Sequence, residues 1–164
     1  MAKGLGKVRQ RKVDHPAPPA EALQLGPLAD FIGFHLRLAQ EASFQAFARR
    51  VRGFAMRPGR FALLALIGQN SGLSQTALGR AAGRDKSSLT PALNDLVQRS
   101  LVKRQRVARD RRSYALSLTP KGEKLLDELF VHARAHDRQL DEIVGIDGKA
   151  ELVRALRRIA LELG

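Results

Sequence analysis

Apolar residues recur at helical spacing in the first part of the chain. Between Leu28 and about Val51 they lie three and four positions apart with no internal proline, which predicts one long helix with a wide apolar face. A second segment, opening at Pro58, is apolar nearly all round, as is typical of a buried helix. The turn residues at positions 69–72 end this second helix.

Two short helices are predicted next, each opened by a polar residue. Ser74 is placed to cap the first, which Gly83 ends, and Asp85 is placed to cap the second. The second helix carries an apolar stripe at Leu89, Leu93, Leu96 and Val97. Pro91 lies inside it and lacks a backbone N–H, which predicts a distortion unless the helix begins near Ser87.

The segments Leu101–Val107 and Ser113–Leu118 have strand character, and the second alternates apolar with small residues. They predict a hairpin with a basic tip. Thr119 and Pro120 then open a further helix, and a last helix is expected after the segment Gly145–Gly148. The predicted fold is therefore mainly α, with a small β-hairpin.

We expect one domain over residues 23–164, preceded by a flexible basic arm over residues 1–22. The arm mixes Lys and Arg with prolines, a composition that buries too little apolar surface to fold. A DNA-tethering arm and a solvated tail without a role both fit this composition.

Charge then narrows the choice of partner. The chain holds 29 Lys and Arg against 16 Asp and Glu, for a formal net charge of +13, which favours a nucleic acid over an acidic membrane surface. The absence of cysteine excludes disulfides, thiolate nucleophiles and Cys-ligated metal centres. We find no signal-peptide core and no run of about 18 apolar residues, and therefore expect a soluble cytoplasmic protein without a membrane partner.

The order helix, turn, helix and hairpin over residues 56–118 is that of a winged helix-turn-helix. In this arrangement the second short helix enters the major groove of DNA and the hairpin, or wing, reaches the minor groove. Basic residues are concentrated there: the segment 99–112 contains Arg99, Lys103, Arg104, Arg106, Arg109, Arg111 and Arg112 against Asp110 alone. This clustering indicates a phosphate-binding surface rather than an ordinary charged hairpin.

The candidate DNA contacts lie on both short helices and on the hairpin. They are Gln75, Thr76, Lys86, Ser87, Ser88, Thr90, Asn94, Arg109, Arg111 and Arg112. The small polar residues of the second helix allow close approach to base edges or phosphates, although any amphipathic surface helix has such a face. Asp110 is placed to orient a neighbouring arginine, with Arg112 the favoured partner. Arg109 or Arg111 is then free for the minor groove, and the spacing does not decide which.

Several motifs are similar to those of the multiple-antibiotic-resistance-regulator (MarR) family. They are Leu73–Leu78 (LSQTAL), Asp85–Thr90 (DKSSLT), Asp110–Arg112 (DRR) and Leu118–Gly122 (LTPKG). The resemblance covers about residues 24–162, and the stretch from DRR to LTPKG is its most specific part. Pro91 and the long arm depart from the commonest pattern of the family.

The resemblance implies a homodimer formed by N- and C-terminal dimerisation helices, over about residues 24–51 and 119–162. Such a dimer binds double-stranded DNA at a pseudo-palindromic operator and responds to a small-molecule effector. The stretch VRGFAMRPGRFALLALI (Val51–Ile67) is similar to that of family members controlling aromatic-acid degradation. The resemblance therefore implies a repressor whose effector is an aromatic acid or its coenzyme A thioester.

The effector residues are less clearly indicated. His35, Arg37, Arg52 and Arg60 are candidates near the first two helices, although a structural or solvated role is the more common one for each, because no constellation selects them. His132 and His136 lie four residues apart with Asp137 alongside and offer two or three metal ligands, but such a pair on a charged helix is commonly only a surface feature. We expect no metal and no cofactor.

Two other functions compete with a ligand-responsive regulator. An architectural, nucleoid-associated DNA-binding protein without an effector would use the same basic surface. An enzyme is disfavoured, because the sequence contains no phosphate-cradling glycine loop, no nucleophile elbow and no metal-ligand motif.

Overall fold

A computed structural model describes residues 23–107 and 110–164. The arm at 1–22 and Arg109 lie outside the described residues, as do the side chains at positions 107, 110–113 and 146. The chain divides into two units, the first ending at Leu38 and the second comprising Ala39–Gly164.

The protein is mainly helical with one small antiparallel sheet, as predicted. Its helices are α1 (Ile32–Arg50), α2 (Pro58–Gln69), α3 (Gln75–Ala81), α4 (Lys86–Gln98), α5 (Pro120–Val144) and α6 (Ile146–Leu163). Its strands are β1 (Leu73–Ser74), β2 (Val102–Val107) and β3 (Asp110–Leu118). Short 3-10 helices at Gly26–Asp30 and Arg52–Phe54 precede and follow α1.

The first long helix begins later than its apolar pattern predicted. Phe31 has extended backbone angles, φ −84° and ψ 114°, so the 3-10 helix at Gly26–Asp30 does not continue into α1. The helix therefore starts at Ile32 rather than Leu28. Its end at Arg50 agrees with the prediction.

All three predicted N-caps are confirmed. The Ser74 hydroxyl accepts a hydrogen bond from the Ala77 N–H at 3.2 Å, and the Asp85 carboxylate accepts one from Ser88 at 2.8 Å. The Thr119 hydroxyl accepts one from the Gly122 N–H at 3.1 Å. Each cap satisfies an N–H in the first turn that has no partner within its own helix.

Helix α4 continues through Pro91 without a break. Its first residue is Lys86, next to Ser87, so Pro91 lies in the second turn. The Ser87 carbonyl loses the N–H that a residue at position 91 would normally donate. Ser87 and Pro91 are both exposed, and water is free to replace that hydrogen bond.

The sheet has the order β1-β3-β2. The hairpin of β2 and β3 is paired from Val102 opposite Leu118 to Arg106 opposite Tyr114, and β3 begins at Asp110 rather than at the predicted Ser113. Strand β1 was not predicted, because two residues are too few to show alternation. It pairs Leu73 with Leu116 and so fixes the start of α3 to the wing.

One apolar core holds α4 in place beneath the wing. Its fully buried members include Leu63, Leu64, Ile67, Leu78, Leu93, Leu96, Leu101, Leu116 and Leu129. They come from α2, α3, α4, α5 and β3, and from the residue preceding β2. The predicted α4 stripe is buried except for the half-buried Val97, so the opposite face of α4 is turned to solvent.

The last helix begins at Ile146, which corrects the expected start after Gly148. Gly145 has a φ of +82°, a conformation that suits glycine, and it alone makes the junction with α5. Lys149 ties α6 back to α5 through ion pairs with Asp137 at 3.1 Å and Asp141 at 2.7 Å. No helix of the described ranges is long and apolar enough to cross a membrane.

Gly122 allows α5 to pack directly on the segment that leads into the wing. A Cβ atom at this position would overlap the backbone carbonyl of Leu101, which no side-chain rotation relieves. We expect Gly122→Ala to lower the free energy of unfolding by about 1 to 3 kcal/mol, measured by urea denaturation.

Gly33→Ala is the matched control, because a Cβ there meets nothing within 4 Å. Because Gly33 is the second residue of α1, this change should alter the free energy of unfolding by less than about 1 kcal/mol, in the stabilising direction. Equal effects of the two substitutions would contradict the assigned role of Gly122.

Candidate nucleic-acid interface and ligand cavity

The start of α4 is organised by Asp85. Its carboxylate accepts hydrogen bonds from the Ser87 hydroxyl at 2.6 Å and from the Ser88 N–H at 2.8 Å. These bonds, with the Ser87 hydroxyl the largest cause, lower the pKa of Asp85 from 3.8 to about 2. The Ser88 hydroxyl donates to the Asp85 carbonyl at 3.2 Å. Both serines are exposed, so they lie at the surface with their hydroxyl hydrogens directed toward the cap.

Thr90 connects the two short helices. The Gln75 side-chain amide donates to the Thr90 hydroxyl at 3.1 Å, and that hydroxyl donates to the Lys86 carbonyl at 2.8 Å. Two of the candidate DNA contacts therefore bind each other, across the start of α3 and the second turn of α4. This arrangement fixes how α4 is presented and indicates a positioning role for Thr90. The other candidates on these helices, Thr76 and Lys86, are exposed.

Asn94 is bound to the wing. The Arg104 guanidinium on β2 donates through Nη2 to Asn94 Oδ1 at 2.8 Å. Arginine has only donors, so the amide oxygen must face Arg104. The exposed Asn94 consequently presents its two N–H donors to any further partner.

The candidate DNA contacts at the tip of the wing lie outside the described side chains. Arg109 lies outside the described residues, as do the side chains of Asp110, Arg111 and Arg112. Their assigned roles, including the pairing of Asp110 with Arg112, remain predictions.

Arg99, one of the basic residues of the segment 99–112, binds the protein's own backbone. Its guanidinium donates to the carbonyls of Phe54 and Ala55, both at 3.1 Å, and so holds the turn between α1 and α2. Asp95, one turn earlier on α4, forms an ion pair with Arg60 at 3.1 Å. Arg60, a candidate effector residue, therefore links α2 to α4.

The structure does not bring the other candidate effector residues together. His35 Nε2 lies 2.7 Å from the Ala29 carbonyl, and Arg37 lies over the Phe34 ring at 5.8 Å from its centroid. Both contacts are within the first unit of the chain. Arg52 is exposed on the 3-10 helix that follows α1.

A cavity of about 440 Å³ lies between α1, α2 and α5. Its lining is rich in phenylalanine and comprises Ser43, Phe44, Phe47, Pro58, Phe61, Ala62, Phe130, Ala133, Arg134, His136 and Asp137. Phe61 is central, with its ring centroid 5.2 Å from that of Phe47 and 5.6 Å from that of Phe130. We call this the aromatic cavity. Its volume suits a small organic ligand.

His136 is one of the polar residues that line the aromatic cavity. Its Nε2 lies 3.0 Å from the Ser43 hydroxyl, whereas Nδ1 is buried without a hydrogen-bond partner among the described residues. Burial, and next the nearby Arg50 charge, lower the pKa of His136, while Asp137 opposes the shift. The lowered pKa favours the neutral imidazole at pH 7.

The histidine pair considered for metal binding is engaged separately. The His132 ring packs on Phe54, with centroids 5.3 Å apart, and the His136 ring packs on Phe47 at 5.7 Å. Within residues 23–107 and 110–164, no three His, Cys, Asp or Glu side chains form a group fit for a metal ion.

A family model and a relative identify the family. The model of the MarR family matches residues 56–114. The putative transcriptional regulatory protein for the hcr operon of Thauera aromatica is 33% identical over 150 residues, covering 88% of this chain and 90% of that protein. The chain belongs to the MarR family.

Solved structures agree with this membership of the MarR family. The transcriptional repressor CouR bound to a 23-mer DNA duplex is 32% identical, with a TM-score of 0.77, and the match covers 84% of this chain and 98% of that one. CouR bound to p-coumaroyl-CoA is 29% identical, again with a TM-score of 0.77, over 84% of this chain and 97% of that one. The protein is thus a DNA-binding transcriptional regulator with a winged-helix fold, and its relatives are regulators rather than enzymes.

The sequence did not reveal the aromatic cavity of this MarR-family protein. Its walls come from α1, α2 and α5, and the Ser43–His136 contact spans 93 residues. Each phenylalanine taken alone fits an ordinary helix core. The one available signal was His136, which we considered only as a metal ligand.

The neutral state of His136 predicts how stability depends on pH. Because its pKa in the folded protein lies below the ordinary 6.5, the unfolded chain takes up the proton first as pH falls. The free energy of unfolding should therefore decrease between pH 7 and pH 5.5. Urea denaturation of His136→Gln should show a weaker dependence over this range, with His35→Gln as the control. Equal slopes for both variants and the original protein would refute this assignment.

Proposed function

We propose that the protein is a homodimeric repressor released from its operator by an aromatic acid or its coenzyme A thioester. The aromatic cavity carries this proposal. The cavity lies between α2 on one side and α1 and α5 on the other. Helix α2 packs in the core with α4, whereas we assign α1 and α5 to the dimer. A ligand bound there would contact both parts of the molecule.

The chemistry of the cavity matches the proposed effector. Four phenylalanines surround the space, and aromatic rings pack well against such walls. Arg134 lies over the Phe130 ring at 5.8 Å and supplies a positive charge at the edge. CouR, a structural relative, is bound to p-coumaroyl-CoA in one of its solved structures, which supports an aromatic thioester as the class to test.

Exposed apolar side chains support the homodimer. In the second unit, Ile143 is 74% exposed, Leu161 82% and Leu163 84%. In the first unit, Phe31 is 56% and Ile32 69% exposed. Large apolar side chains exposed in this way favour an interaction site, and α1 and α5–α6 are the segments assigned to dimerisation.

We assign operator contact to the exposed face of α4 and to the wing. Lys86, Ser87, Ser88 and Asn94 are the proposed contacts on α4, and Thr76 is the proposed contact on α3. We assign Gln75 and Thr90 to positioning α4, because their side chains are hydrogen-bonded to each other. Arg109, Arg111 and Arg112 are the proposed contacts of the wing.

Filling the aromatic cavity tests the repressor proposal. Ala62 lines the cavity and is exposed, so Ala62→Trp should block the ligand while leaving the core intact. We expect p-coumaroyl-CoA or p-coumaric acid to release operator DNA from the original protein and to raise its Tm. Both effects should disappear in Ala62→Trp, with operator affinity changed by less than threefold.

Ala150→Trp, an exposed change on α6, is the control and should retain the response. Release from DNA that persists in Ala62→Trp would contradict the assigned cavity. Footprinting distinguishes the architectural alternative, because a regulator protects one discrete palindrome whereas an architectural protein covers DNA without a fixed site.

A further inference from the structure

A second cavity, of about 540 Å³, adjoins the aromatic cavity. Phe44 and Pro58 line both. The remaining wall of the second cavity comprises Glu41, Gln45, Ala48, Arg57, Gly59, Arg60, Arg84, Ser88, Pro91 and Ala92. Three arginines face one carboxylate there, so we call it the basic cavity.

The basic cavity has more positive than negative side chains in its wall. Arg60 is paired with Asp95, and Glu41 accepts a hydrogen bond from Gln45 at 2.7 Å. Within the described residues, Arg57 and Arg84 form no ion pair. Two guanidinium groups are therefore left to attract an anion, and guanidinium geometry favours phosphate.

Gly59 leaves space for the Arg84 side chain at the wall of the basic cavity. A Cβ at position 59 would overlap the Arg84 guanidinium and lie 3.3 Å from its central carbon. Arg84 therefore lies directly against the backbone of the first turn of α2, in a place that only glycine leaves open. Arg84 is half-buried at the cavity and has no ion-pair partner within the described residues.

We propose that the basic cavity binds the phosphate groups of a coenzyme A thioester whose aromatic acyl group occupies the aromatic cavity. The inference rests on the proposed function and narrows the effector from an aromatic acid to its thioester. A coenzyme A thioester carries an aromatic group and a polyanionic group in one molecule. The first matches the aromatic cavity and the second matches the adjoining basic cavity. A free aromatic acid would leave Arg57 and Arg84 unused.

The basic cavity also touches the DNA-reading helix. Ser88 and Pro91 of α4 belong to its wall, so bound phosphates would lie next to the helix that we assign to the major groove. Occupancy of this site is thereby linked to the position of α4.

Calorimetric titration with p-coumaroyl-CoA, p-coumaric acid and coenzyme A tests the inference. The original protein should bind the thioester more tightly than the acid, with an affinity that falls as salt rises. Arg57→Ala/Arg84→Ala should lower thioester affinity about tenfold or more and weaken its salt dependence. Affinity for the acid should change by less than twofold.

Two further variants guard against an indirect effect. Arg49→Ala/Arg80→Ala removes the same charge from exposed positions outside both cavities and should leave thioester affinity unchanged. Gly59→Ala keeps both arginines but displaces Arg84, and should lower thioester affinity without changing acid affinity. Tm measurements confirm that each variant is folded.

The outcomes separate this inference from the proposed function. The phosphate site is overturned if thioester affinity is unchanged in Arg57→Ala/Arg84→Ala. It is also overturned if Arg49→Ala/Arg80→Ala lowers that affinity equally. In both cases the proposal of an aromatic effector is unaffected. Loss of DNA affinity with thioester affinity retained would assign these arginines to the operator instead. Failure of the original protein to bind all three compounds would reject the proposed effector class as well.

Discussion

Arg104→Ala is expected to lower operator affinity by about 10- to 100-fold and to change the preferred base at one position of each half-site. Arg104 Nη2 occupies the amide oxygen of Asn94 at 2.8 Å. That bond holds the amide oxygen toward Arg104, so Asn94 presents its N–H donors outward and favours an acceptor such as guanine O6 or N7. Once Arg104 is removed, the amide is free to turn and to present both its oxygen and its N–H for the bidentate contact with adenine.

Binding to operator variants, with every base tested at each half-site position, measures this change. Arg106→Ala is the matched control, because Arg106 is an exposed arginine two residues along the same strand. Its loss should weaken binding to all sequences alike and reduce the salt slope by about one unit. A uniform loss in Arg104→Ala as well would contradict the orienting role.

A double-mutant cycle with Asn94→Ala gives a second measure. If Arg104 acts through Asn94, the two substitutions together should cost little more than either one alone. Additive costs would show instead that each residue contacts DNA independently.

The sequence predicted the winged helix-turn-helix correctly where local rules decide the structure. Caps at Ser74, Asp85 and Thr119 follow from side chains that accept backbone N–H groups within three residues. Similarly, the α4 stripe requires only the helical period. Local rules failed at Gly145–Gly148, because one positive φ at Gly145 is sufficient for the turn and Gly148 is tolerated inside α6.

Contacts between distant elements decided the rest. The sequence presents Asn94 and Thr90 as two similar polar residues on one face, whereas the structure ties Thr90 to α3 and Asn94 to the wing. The three arginines among the candidate effector residues are predicted from their charge near the first two helices. Arg60 instead pairs with Asp95, because in the folded chain the start of α2 lies against α4. Such pairings depend on packing that no spacing rule contains.

Leu152→Asp/Leu156→Asp is expected to produce a monomer and to lower operator affinity by about 100-fold or more. Leu152 is 42% and Leu156 39% exposed on α6, one helical turn apart, so both belong to the apolar surface assigned to the partner subunit. A carboxylate buried without a partner strongly opposes association. A monomer binds each half-site separately. It therefore lacks the gain in affinity that arises when one bound subunit holds the winged helix of its partner close to the second half-site.

Sedimentation velocity measures the monomer, and gel retardation on a full operator and on a single half-site measures the consequence. Arg158→Asp is the control, because it lowers the net charge by two, as the double variant does, from an exposed position on another face of α6. It should remain dimeric. Full-operator affinity of the double variant should fall toward its half-site affinity, since only the link between the two sites is lost. If the variant is monomeric yet retains full-operator affinity, each reading head must bind DNA tightly alone, and dimerisation would then serve the effector response rather than operator recognition.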